Sequence, residues 1–125
     1  MIRSLPIVII CLIFLCCTNR NTLLSGTASK NWYVVKNYGL DIQRPFEMYV
    51  FFSNGKCNRY SLWDGKQVEY PWGDVEVERT WKIKDSLITF LSNDWKIIRL
   101  TESHFDIIPV RGKDTIMMIS DTARN

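Results

Sequence analysis

The chain has 125 residues, of which 16 are Lys or Arg and 13 are Asp or Glu, and its net charge is +3. A hydrophobic share of 46% and a charged share of 23% are typical of a globular protein and exclude a disordered chain. Domains commonly hold about 100–150 residues, so we expect one. The charge is too small to indicate nucleic-acid binding, and one His with four Cys leaves few ligands for a metal or redox site.

The N-terminus is predicted to be a signal peptide that spans residues 1–16. Arg3 supplies an early positive charge, and an apolar run follows over residues 5–15, interrupted only by Pro6. A helix that spans a bilayer needs about 20 apolar residues, so this run has the length of a signal-peptide core. The polar residues that begin at Thr18 end the run.

The apolar run leads into two adjacent cysteines, and the sequence Phe14–Leu15–Cys16–Cys17 resembles the cleavage site of a bacterial lipoprotein. The resemblance implies cleavage after Cys16 and attachment of lipid, palmitate included, to Cys17. No acidic run of the kind that marks surface export follows, so we expect a periplasm-facing protein held in the outer membrane of a bacterial cell envelope. Lipidation at Cys16, an ordinary cleaved signal peptide and a short membrane anchor are the alternatives.

Residues 17–31 are predicted to be the lipidated cysteine and a polar tether, because only Leu23 and Leu24 are apolar after Cys17. Cys57 is then the one cysteine of the mature domain, which leaves no partner for an internal disulfide. We expect it to be a small buried hydrophobic residue, with a reactive thiol as the alternative.

Residues 32–120 predict a series of about eight short strands with no helix. The strongest turn signals are Asn54–Gly55 and Asp64–Gly65. The predicted strands span residues 32–38, 47–53, 57–63 with an extension at 67–70, 75–84, 87–91, 95–101, 104–110 and 115–120. Turns every 8–12 residues and short links favour an all-β fold, a small antiparallel up-and-down barrel, followed by a tail at 121–125.

Three motifs resemble the lipocalin-like domains of secreted bacterial lipoproteins. They are an aromatic first strand that begins at Trp32, the hairpin sequence FFSNGK at 51–56, and the strand block at 81–90 with its partner at 95–101. The likeness covers residues 31–119. It implies an eight-stranded barrel and, by analogy, a hydrophobic ligand.

Five side chains are predicted to bind a ligand at the open end of the barrel: Trp63, Tyr70, Trp72, Arg79 and Trp81. The first three lie close together in the loop region 63–74, where aromatic side chains are less often part of the core and an exposed cluster indicates a contact surface. Arg79 alternates with Val77 and Trp81, which places it on the inner face of the predicted strand 75–84. It is either a carboxylate-binding residue of the inner wall, or an arginine that stacks on Trp81, pairs with an inner acid or lies near the rim.

The sequence offers no catalytic constellation. His104 and Asp106 share a strand face, but nothing supplies a nucleophile or a second metal ligand, so we predict no enzyme, no metal and no cofactor. The predicted function is that of a lipid-anchored envelope protein that binds a small hydrophobic or amphipathic molecule. The alternative is a periplasmic inhibitor or immunity-type protein that acts by protein–protein contact.

Overall fold

The computed structural model describes residues 20–37, 40–70 and 77–121. The predicted signal peptide, the predicted lipidation site Cys17, Trp72 and residues 122–125 of the tail lie outside these ranges, and the predictions made for them stay predictions.

Ten strands form one antiparallel sheet, and a short helix spans residues 20–25. The strands are β1 (Ser29–Asn37), β2 (Leu40–Asp41), β3 (Glu47–Phe52), β4 (Cys57–Trp63), β5 (Lys66–Glu69), β6 (Trp81–Lys84), β7 (Leu87–Phe90), β8 (Asn93–Leu100), β9 (His104–Pro109) and β10 (Ile116–Ser120). Their order is β5-β4-β3-β1-β10-β9-β8-β7-β6, with β2 beside β1. Among the described strands, chain neighbours pair with each other except β2 with β3 and β5 with β6, and β10 returns to pair with β1. This confirms the all-β, up-and-down architecture.

The sheet curls into a half-barrel whose two ends meet at one place. An isolated antiparallel bridge joins Lys56 to Thr80. Beside it, Cys57 N–H donates to the Arg79 carbonyl at 3.0 Å, and Trp81 N–H donates to the Gly55 carbonyl at 2.9 Å. In the described part of the chain no ladder joins β5 to β6. The sheet is therefore continuous from β5 to β6. In the described residues, the open side is crossed by the Lys56–Thr80 bridge and the two hydrogen bonds beside it.

The strand predicted at 75–84 is shorter in the structure, and this is the main correction to the strand assignment. Its described portion is regular only in β6, from Trp81 to Lys84, where β7 supplies a hydrogen-bonding partner. Residues 77–79 have no such partner strand, so alternating polarity alone does not make them a strand. The inner-face assignment of Arg79 consequently fails, because it depended on that alternation.

Aromatic side chains build the core on the concave face of the half-barrel. Phe51 on β3 is fully buried and lies edge-to-face with Trp81, Phe90 and Phe105, at ring-centroid distances of 6.1, 5.3 and 5.9 Å. Such geometry adds to the free energy of area burial. Cys57 belongs to the same core and is fully buried. Burial raises the pKa of its thiol, so the reactive thiolate is disfavoured.

The stretch predicted to be a tether is folded over residues 20–31. The helix at 20–25 places Leu24, fully buried, into the concave core at the end where β1 begins. The Leu24 carbonyl accepts a hydrogen bond from Trp32 Nε1 at 2.7 Å, and the Leu23 carbonyl accepts one from Lys30 Nζ at 2.9 Å. Gly26, at φ +65°, ends the helix in a conformation that other residues rarely adopt. The tether assignment therefore does not hold for these residues.

Replacing Leu24 with Ala is expected to lower the free energy of unfolding by about 3 kcal/mol, because it leaves a cavity at the base of the core. Urea denaturation followed by circular dichroism measures the change. Leu23→Ala, at a partly exposed neighbouring position, is the matched control and is expected to cost about 1 kcal/mol or less. If both substitutions lower the free energy of unfolding by the same small amount, residues 20–31 behave as a tether after all.

Candidate functional site

The end of the half-barrel opposite Leu24 contains two adjoining cavities. At this end β1 and β7 finish and β3, β8 and β10 begin. The first, which we call the inner mouth cavity, has a volume of about 210 Å³ and is lined by Asn37, Glu47, Tyr49, Arg59, Phe90, Leu91, Asn93, Trp95 and Ile116. The second, the outer mouth cavity, has about 260 Å³ and extends to residues 112–114 of the loop before β10. Asn37, Trp95 and Ile116 line both cavities.

A buried ion pair lies in the wall of the inner mouth cavity. Arg59 Nη2 approaches Glu47 Oε1 to 2.6 Å, and only 9% of the Glu47 side chain is exposed. The Tyr49 hydroxyl donates to the same Oε1 atom at 2.8 Å. Glu47 Oε2 accepts no hydrogen bond from the described residues. The site thus combines a paired charge with one carboxylate oxygen that retains acceptor capacity.

The aromatic rings of two tyrosines, Tyr49 and Tyr70, contact the Arg59 guanidinium. The guanidinium carbon lies 3.9 Å from the centroid of the Tyr70 ring and 5.8 Å from that of Tyr49. Such cation–π contacts stabilise a charge that has left water. Burial, and after it the nearby Glu47 carboxylate, raises the pKa of Tyr49. The Tyr49 hydroxyl therefore stays protonated and remains a donor to Glu47.

Aromatic rings form the apolar side of the same cavity. The Phe90 and Trp95 rings stack at 5.9 Å with an interplanar angle of 23°, and Tyr49 meets Phe90 edge-on at 5.5 Å. Trp95 Nε1 is buried, and no residue in the described ranges accepts a hydrogen bond from it. A buried donor without a partner costs about 1–3 kcal/mol. The cavity therefore has an apolar wall, a buried Trp95 donor without a partner in the described ranges, and a Glu47 carboxylate oxygen that can accept a further hydrogen bond.

The residues predicted from the sequence are not gathered into one pocket. Tyr70 does not line a mouth cavity, but its ring stacks on Arg59, which lines the inner one. Trp81 packs on Phe51 in the core and donates from Nε1 to the Phe52 carbonyl at 2.7 Å. Trp72 lies outside the described residues.

Arg79 lies at the surface and not in the cavity. Its guanidinium is half exposed and pairs with the exposed Glu69 at 2.6 Å. The arginine that does line the cavity, Arg59, was missed. The sequence contained evidence for this position. Arg59 lies two residues after Cys57 on one predicted strand, and Glu47 lies four residues before Phe51 on the preceding strand, so each charge is on the same face as a core residue. The two charges therefore share the inner face with the core residues.

Trp63 lies on a separate surface, which we call the hairpin groove. Trp63 is 71% exposed at the end of β4, and Phe46 next to it is 55% exposed. The groove encloses about 560 Å³ and is lined by Tyr33, Arg44, Pro45, Phe46, Leu62, Trp63, Asp64, Gly65 and Gln67. Adjacent exposed aromatic side chains are typical of contact surfaces.

His104 and Asp106 do not form an acid–base pair. Asp106 Oδ2 accepts from Arg99 Nε at 2.9 Å, and His104 Nδ1 lies 2.8 Å from Ser103 Oγ. Over residues 20–37, 40–70 and 77–121, no three His, Cys, Asp or Glu side chains cluster in a way that could hold a metal ion. Within the same ranges no helix has the length and apolar character needed to cross a bilayer.

No protein-family model, curated protein or solved structure matches this chain at a significant level.

Proposed function

We propose that the protein is a lipid-anchored envelope protein that binds a small amphipathic molecule in its mouth cavities. The observation that carries this proposal is the inner mouth cavity, where the Phe90–Trp95 aromatic wall lies opposite the buried Glu47–Arg59 pair. Ligand sites commonly combine an apolar lining with a few fixed polar groups. The opposite end of the half-barrel is filled by Leu24, so the ligand enters at the mouth.

The volumes of the two cavities limit the size of the ligand. Drug-sized ligands occupy about 300–1,000 Å³, whereas an apolar cavity of about 150 Å³ holds benzene. The inner mouth cavity, at about 210 Å³, suits a one-ring molecule, and the outer cavity leaves room for a substituent. We therefore propose a one-ring ligand rather than a long acyl chain, which is a narrower class than the hydrophobic molecules that the sequence predicted.

The proposed lipid on Cys17 also gives the domain an orientation. The helix that begins at residue 20 lies at the filled end of the half-barrel. A fully extended chain from Cys17 to that helix covers about 10 Å. A lipid on Cys17 would therefore hold the filled end against the membrane and leave the mouth open to the periplasm.

Native mass spectrometry of the protein purified from its own cells tests the binding function. We expect a non-protein mass that leaves on denaturation. Ile116 lines both cavities, so Ile116→Trp places a larger side chain in their space and is expected to abolish the bound mass. Ile98→Trp adds the same side chain at an exposed position and should retain the bound mass. A bare wild-type protein, or a mass that survives Ile116→Trp, contradicts the proposal.

The hairpin groove favours a second candidate, a periplasmic inhibitor or immunity-type protein that acts by protein–protein contact. Trp63 and Phe46 would then insert into the partner, since large exposed aromatic residues commonly dominate such interfaces. Trp63→Ala separates the two functions, because it is expected to abolish binding of a protein partner and to leave a mass in the mouth unchanged.

A further inference from the structure

We infer that the inner mouth cavity binds a small, uncharged, single-ring molecule with a hydroxyl group, of which phenol is the simplest example. This inference rests on the proposed binding function and adds the chemical class of the ligand.

The charge of the cavity selects against ions. Glu47, Tyr49 and Arg59 are the titratable residues that line the inner mouth cavity. Glu47 and Arg59 neutralise each other at 2.6 Å, and the Tyr49 hydroxyl is protonated. An anion that approaches Arg59 meets the Glu47 carboxylate, and a cation that approaches Glu47 meets Arg59. An uncharged molecule leaves the buried pair intact, so it avoids the cost of an unpaired charge.

The unmet hydrogen bonds select for a hydroxyl group. The Tyr49 hydroxyl donates to Glu47 Oε1, and Arg59 forms its ion pair with the same atom, so Glu47 Oε2 keeps its capacity to accept a hydrogen bond. Trp95 Nε1 is a buried donor of the same lining that has no acceptor within the described ranges. A hydroxyl group has one donor and two acceptor lone pairs, so it matches both kinds of unmet group. An ether lacks the donor, and a hydrocarbon lacks both.

The shape and lining of the cavity select for a ring. Three of the lining side chains are aromatic, namely Tyr49, Phe90 and Trp95. Offset or edge-on packing against such rings favours a flat aromatic ligand over an aliphatic chain. The volume of about 210 Å³ exceeds the roughly 150 Å³ that accommodates benzene, and it allows one added polar substituent.

Calorimetric titration of the full chain with four probes of similar size tests the inference. The probes are phenol, toluene, benzoate and benzylamine. Phenol is expected to bind about fivefold more tightly than toluene, which corresponds to about 1 kcal/mol, the typical net contribution of one hydrogen bond. The two charged probes, benzoate and benzylamine, are expected to bind more weakly than toluene.

Glu47→Gln tests the role of the ion pair directly. It retains the size of the side chain and removes the negative charge that lies 2.6 Å from Arg59, so benzoate is expected to bind more tightly than phenol. Glu69→Gln is the matched control, because Glu69 also pairs with an arginine at 2.6 Å but lies on the exposed surface. This control is expected to leave the ranking of the four probes unchanged.

The wild-type titration decides the inference even if Glu47→Gln fails to fold. If toluene or benzoate binds as tightly as phenol, the ligand class is wrong, while a bound mass in the native spectrum still supports the proposed function. If no probe binds and the wild-type protein also carries no bound mass, both the class and the proposed function are overturned. If a folded Glu47→Gln keeps the wild-type ranking, Glu47 does not select the ligand and the inference fails.

Discussion

Replacing Phe51 with Ala is expected to lower the free energy of unfolding by about 4 kcal/mol, a large part of the stability of a domain of this size. Phe51 is fully buried where three neighbouring rings converge on it, those of Trp81, Phe90 and Phe105. Its removal takes away buried apolar area, leaves a cavity and breaks three edge-to-face contacts. Because those rings come from β6, β7 and β9, Phe51 links β3 to the far side of the sheet.

Equilibrium denaturation with guanidinium chloride measures this loss as a lowered midpoint. Phe46→Ala is the control, since Phe46 is the same residue type at an exposed position, and its cost is expected to stay within about 0.5 kcal/mol. A loss at Phe51 as small as that at Phe46 would show that the concave face is not a packed core.

Replacing Arg59 with Met is expected to destabilise the protein by about 3 kcal/mol, because it leaves the buried Glu47 carboxylate without a counter-charge. Met retains much of the apolar length of the side chain, so the loss reports on charge more than on packing. The double variant Glu47→Leu with Arg59→Met removes both charges and is expected to recover most of the lost stability. Recovery of this kind distinguishes an unpaired charge from a general packing defect.

The four species of this double-mutant cycle are compared by urea denaturation at neutral pH. Arg79→Met is the matched control, because Arg79 makes an ion pair of the same length with Glu69 at the surface. Exposed pairs contribute about 0–1 kcal/mol, so a small effect is expected there. Equal effects at Arg59 and Arg79 would contradict the burial of the Glu47–Arg59 pair.

Much of the fold follows from local signals in the sequence. Asp64 and Gly65 adopt φ values of +49° and +77°, as a two-residue hairpin turn requires, and Gly55 adopts +89° in the preceding hairpin. Alternating polarity then assigns the faces of the paired strands. Such signals involve only neighbouring residues, so they can be interpreted without knowledge of the tertiary structure.

The features that were missed depend on partners distant in the sequence. Alternation over residues 75–84 suggested one long strand, but of its described residues only those that face β7 form one. The helix at 20–25 is too short to show a helical period, and Leu24 is its one fully buried apolar residue. Arg59 was overlooked because its partner, Glu47, lies on a different strand, so only the tertiary structure shows that their charges meet.

A crystal structure of the protein purified from its own cells would test the central claim, ligand binding in the mouth, most directly. We predict non-protein electron density in the inner mouth cavity, with a polar atom within hydrogen-bonding distance of Glu47 Oε2 and a ring against Phe90 and Trp95. Side chains that close this space, with Glu47 and Trp95 bonded to the protein itself, would contradict the claim and leave the hairpin groove as the remaining functional surface.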